Sequence, residues 1–150
     1  MRRELTRRGP MRDGAQTAEA AARFGIRRLL NQGYDQVLAR VPEALQSEGF
    51  GIVTELDMRE TLKKKLGIEF RRYKILGACN PPLAHRALEA ELEVGLMMPC
   101  NVVVYEESGG RTVVCAVDPL QTLGSRGGPV LTDVASAVRK KLERALDRLA

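Results

Sequence analysis

The chain has no tryptophan, one histidine and three cysteines, and only 4% of its residues are aromatic. Each scarcity removes a class of function. Few aromatic rings leave few platforms on which the bases of a single strand stack. The lone His85 excludes an H-E-x-x-H centre and a finger-type zinc site within one chain. Cys79, Cys100 and Cys115 are odd in number, widely spaced and without a C-x-x-C step. No disulfide framework is indicated, and a reducing, cytoplasmic setting is the expectation. No apolar run approaches the ~20 residues that cross a bilayer, so no membrane partner is expected. A Gly-x-x-x-x-Gly-Lys loop is missing, and no hydrolytic triad or paired-carboxylate arrangement has support. No catalytic residue is assigned, and no cofactor is specified.

What is present fits one ordinary domain: 150 residues, 44% apolar and 29% charged. The net charge of +5 is confined to residues 1–28, where eight arginines face three acids. The rest holds sixteen basic and sixteen acidic residues and is neutral. A basic tail attracts polyanions only nonspecifically, so nucleic acid is not an expected partner. Residues 1–22 lack the continuous apolar core of a secretory signal and are expected to be a disordered basic leader. Residues 23–150 are expected to form a single domain.

Within that domain, hydrophobic periodicity sets the elements. Phe24 to Leu30 reads as a strand. Val37, Leu38, Val41 and Leu45 then fall at helical spacing in Tyr34 to Ser47, with a kink or restart expected at Pro42. Phe50 to Leu56 alternates as a half-buried strand does. Asp57 and Glu60 have capping-box spacing for a short helix that Gly67 ends, with Lys63, Lys64 and Lys65 on its solvated side. Tyr73 to Cys79 reads as a buried strand, and Asn80-Pro81 as the cap and first residue of a helix from Leu83 to Glu93. Val102 to Tyr105 and Thr112 to Val117 form a hairpin, which Pro119 stops. After a loop from Gly124 to Pro129, Val134, Val138, Leu142, Leu146 and Leu149 share one face of a final helix. The expected architecture is α+β: a mixed sheet of about five strands with helices packed mainly on one face.

Several strings point further. Glu48-Gly49-Phe50-Gly51-Ile52, Leu62 to Gly67, Tyr73-Lys74-Ile75-Leu76-Gly77-Ala78-Cys79-Asn80-Pro81, Leu96-Met97-Met98-Pro99-Cys100-Asn101-Val102-Val103-Val104-Tyr105 and Asp118-Pro119 resemble the domain-of-unknown-function family 302. The similarity runs from about Phe24 to Leu149. It implies a compact α+β homodimer and carries no settled activity or catalytic residue.

The candidate site residues are Cys79, Asn80, Cys100 and Asn101. Cys79 adjoins a helix start, whose dipole favours thiolate and whose free N–H groups suit an anion. The competing reading is that Asn80 only caps the helix. Cys100 follows Met97-Met98-Pro99, and thiolate with thioether is the donor set that suits Cu(I); against this, methionine also fills gaps in cores. A crossover helix after Cys79 would put the two cysteines at opposite ends of the sheet, whereas one long bulged strand from Val94 would bring them together. Cys115 reads as a small core residue, and His85 as a surface residue. Three functions remain open: an accessory domain binding a small molecule or soft metal near Cys79, Asn80 and Cys100; a thiol-dependent redox enzyme; and a structural dimerisation module.

Overall fold

Alternation along the strands decides which side of the sheet is dry. In the computed structural model, which describes residues 24–150, β1 (Gly25–Leu30), β2 (Gly51–Asp57), β3 (Tyr73–Cys79), β4 (Cys100–Glu107) and β5 (Arg111–Val117) form one sheet. The strand order is β1-β5-β4-β3-β2. Leu76, Ala78, Val102, Val104, Val114 and Ala116 occupy one face of its centre, each 2% exposed or less. Helix α1 (Tyr34–Gln46) lays Val37, Val41 and Leu45 into the same core, and the last helix, Pro129–Asp147, adds Val134, Val138, Leu142 and Leu146. Both helices therefore repeat apolar residues every three or four positions, the spacing that one buried stripe requires. On the opposite face Tyr73 and Tyr105 stack at 5.4 Å, in register across β3 and β4. The leader expected over residues 1–22 lies outside the described residues.

The α+β class, the five strands and the one-sided helix layer match the sequence reading, but the sheet is antiparallel throughout rather than mixed. The reason lies in two helical connections. Helix α2 (Met58–Leu66) leaves β2 at Asp57 and the chain returns beside Lys74; α3 (Pro81–Ala90) leaves β3 at Cys79 and the chain returns at Cys100, opposite Ala78. Each helix is an excursion inside a hairpin, not a crossover, so neighbouring strands run in opposite directions. Neither sequence alternative for the cysteines is what is observed: Cys79 and Cys100 come to one end of the sheet although β4 starts only at Cys100.

Local signals account for most of the boundaries. Asp57 accepts the Glu60 N–H at 3.0 Å, and Gly67 ends α2 in the left-handed conformation. Pro42 does not restart α1, which runs through it. Its ring sits on the exposed side, where water can hydrate the carbonyl that has lost its donor. Pro119 does more than stop β5: Asp118 caps a short helix, α4 (Pro119–Thr122), by accepting the Leu120 N–H at 3.0 Å. The final helix, α5 (Pro129–Asp147), starts at Pro129, the last residue of the expected loop, because proline is suited to a first helical position.

Candidate functional site

The sheet end shared by Cys79 and Cys100 is built around a tight junction. Asn80 caps α3 through its Oδ1, which accepts the Leu83 N–H at 3.5 Å, while its Nδ2 donates to the Glu48 carbonyl at 3.2 Å. The Glu48 carboxylate in turn pairs with Arg144 on α5, tying the junction to the helix layer. Gly49, at φ 85°, makes the turn beside the Asn80 amide, a conformation that favours glycine. Across the junction, a Cβ on Gly77 would stand 2.0 Å from Thr54 Oγ1 and 2.5 Å from Pro99 Cγ. The missing side chain lets Pro99 close over β3 just before β4 begins.

Next to this junction is a cavity of about 260 Å³. Ala78, Cys79, Asn80 and Cys100 border it from the sheet end, and Phe50 and Val53 from the β2 side. Leu83 and Ala84 of α3 form another wall, and Leu123, Val134 and Val138 close it from the helix layer. Met97 and Met98 lie at its margin. Val53 reaches this position because the β2–β3 register shifts between Ile52 and Thr54, leaving it extra in a bulge. Among the described residues, no charged side chain lines the space. Its amide, Asn80, and its hydroxyl, Thr122, already bond within the protein, the latter to the Pro119 carbonyl at 3.5 Å.

Burial, and secondarily the neighbouring Cys79, push the Cys100 thiol up to about 11. At neutral pH it is an uncharged, polarizable wall and not a nucleophile. The other sequence candidates lie elsewhere. Asn101 is exposed and pairs in register with Gly77 outside the cavity lining, so the second Cys-Asn step does not repeat the first. His85 is largely exposed and meets Glu89 at 3.0 Å one helical turn on, a carboxylate partner that the sequence reading overlooked. Cys115 does not belong to the main core: it sits opposite Arg27 across β1 and β5 and is partly exposed. The reading of Asn80 as a cap is supported by its bond from the Leu83 N–H, while its place on the cavity wall leaves it a site candidate. The wall residues Phe50, Leu83, Ala84 and Leu123 carry no site signal in sequence; Val134 and Val138 were legible only as a core stripe.

Among the described residues, no three His, Cys, Asp or Glu side chains gather as a metal cluster. The sulfur-bearing residues that border the cavity are Cys79, Cys100, Met97 and Met98. Such a set suits a soft monovalent ion better than zinc.

Two outcomes follow. Asn80→Ala is expected to cost about 1–2 kcal/mol in urea unfolding, through loss of the cap and of the bond to Glu48; a cost below roughly 0.3 kcal/mol contradicts that role. The second concerns pH. The native Cys100 thiol keeps its proton to about pH 11, whereas an unperturbed thiol releases it near 9.0. Between these values the native state binds more protons than the unfolded one, so the stability present below the lower value is lost as pH rises through the window. Buried Tyr34, raised from 10.0 to about 12, acts in the same direction at higher pH. The urea midpoint is expected to hold from about pH 7.5 to 9 and to fall by about 10.5, less steeply in Cys100→Ala. A flat midpoint to about pH 10.5 contradicts this.

The fold and site define an α+β domain with an apolar, sulfur-bordered cavity at one sheet end. The family described as "Domain of unknown function DUF302" matches residues 26–149, and the chain belongs to it. The chain is similar to a solved structure titled "Crystal structure of uncharacterized conserved protein DUF302 from Bacillus stearothermophilus", with 34% identity and a TM-score of 0.77. That likeness covers 85% of this chain and 98% of the other. Comparison with curated proteins finds no match. Among the described residues, no helix is long and apolar enough to cross a membrane.

Proposed function

We propose that this chain is a non-catalytic accessory domain whose cavity takes a small apolar molecule beside Cys79, Asn80 and Cys100, and that it works as a cytoplasmic homodimer. The observation that carries the proposal is the wall chemistry: apolar side chains and thiols surround the space, and its amide and hydroxyl are already bonded inside the protein. A polar ligand would lose water there without finding partners. The raised Cys100 proton affinity counts against that thiol as the nucleophile of a redox enzyme. For the dimer, the support is the sheet face opposite the helix layer, where Tyr73, Ile75, Val103 and Tyr105 are only partly covered. A soft metal ion such as Cu(I) is the second reading, favoured by four sulfur-bearing residues bordering one cavity.

Native mass spectrometry of the full chain tests these readings together. An added organic mass that dissociates on unfolding, on a dimeric species, supports the proposal. Stoichiometric copper supports the second reading. Selective, rapid alkylation of Cys79 favours the redox enzyme. A dimer that carries nothing and takes up no apolar probe leaves the structural module.

A further inference from the structure

We infer that the cavity and a neighbouring groove form one trough for a single-chain amphiphile, with an unbranched aliphatic chain buried beside Cys100 and a small uncharged polar head left in the groove. This rests on the reading that the cavity takes an apolar ligand, and it names the class of that ligand. The groove, about 580 Å³, runs between the 3₁₀ segment Leu92–Met97, the residues after α4 and the start of α5. Met97, Thr122 and Leu123 line both spaces, so the two adjoin along these three residues. Leu123 is buried, but Met97 is 46% exposed, and its thioether chain has three rotatable bonds. It can turn aside without disturbing the core.

The two compartments differ chemically along the line that joins them. Among the described residues the cavity offers no charge, and its one amide and one hydroxyl are each engaged within the protein, so a polar head placed there would find few partners. The groove carries Glu91, Glu93 and Arg126 beside apolar Val94, Leu96 and Val130. Charges of both signs keep it hydrated without selecting an ion, which suits a hydroxyl or similarly neutral head. Leu96, which lines the groove, stands 84% exposed, apolar surface available to a chain on its way in. A slender chain passes a constriction of three side chains, whereas a fused ring would have to displace buried Leu123.

The test titrates the full chain with straight 1-alkanols from butanol to decanol by calorimetry, alongside Met97→Trp. For the wild type, affinity is expected to rise by about fourfold per methylene through decanol. In Met97→Trp the rise is expected to stop at short chains, so that the ratio of decanol to butanol affinity falls at least about tenfold. Should Met97→Trp fail to fold, Thr122→Tyr narrows the same passage. Saturation at short chains in the wild type, with no effect of either substitution, overturns the trough while leaving the cavity reading intact. Binding of decanoate or decylammonium about tenfold or more tighter than decanol overturns the neutral head. Failure of every alkanol to bind sinks both readings.

Discussion

Replacing Leu142 with alanine is expected to lower the stability of the fold by about 2–5 kcal/mol, the cost of truncating a fully enclosed leucine. Leu142 is 0% exposed and sits at the middle of the α5 stripe, between Val138 and Leu146. The stripe packs into the core that α5 shares with α1 and the sheet, so removing its central side chain opens a void in a core rich in β-branched residues such as Val37 and Val41. Those residues have few rotamers with which to collapse into it. Urea unfolding monitored by far-UV circular dichroism measures the effect. A loss below roughly 0.5 kcal/mol would show that α5 packs on a different face.

Ala84→Phe is expected to abolish uptake of small apolar probes while leaving the fold in place. Ala84 lies on the α3 wall of the cavity, and a phenyl ring built there points into space that is already apolar. A probe that buries about 100 Å² of apolar surface gains roughly 2.5 kcal/mol. Excluding it therefore weakens binding by roughly seventyfold. Thermal unfolding of the variant separates this from misfolding, since an apolar ring in an apolar void costs little unless the site is overpacked. Full probe affinity in a folded Ala84→Phe protein would place the binding site elsewhere.

The helices and strands were largely legible because their signals are local. The stripe Val134, Val138, Leu142 and Leu146, the Asp57 cap and the Asn80-Pro81 start all act within a few residues of themselves. The same logic, applied to Asp118-Pro119, would have revealed α4; reading proline only as a strand terminator hid it. Sheet direction was harder, since nothing within α3 says on which side the chain returns. It is decided by the pairing of Ala78 with Cys100, a contact between residues far apart in sequence. The site was legible in the same partial way. Cys79, Asn80, Met97, Met98 and Cys100 stood out as residue types that carry chemistry. Phe50, Leu83 and Leu123 did not, because an apolar wall residue looks like any other core residue until the space beside it is seen. Asn101 was singled out by its resemblance to the Cys79-Asn80 step, but β4 turns it to the exposed side, opposite Gly77.

The proposal that the sulfur-bordered space is a ligand site is tested most directly by methyl-resolved NMR of the full chain, labelled at methionine, valine and leucine, during titration with a neutral apolar probe. Saturable shifts are predicted at Met97, Met98, Leu83, Leu123, Val134 and Val138, which border the cavity. Val103 and Val113, which belong to the opposite sheet face, are predicted to stay unmoved. Shifts confined to that opposite face, or no saturable shift at any methyl, would contradict the account.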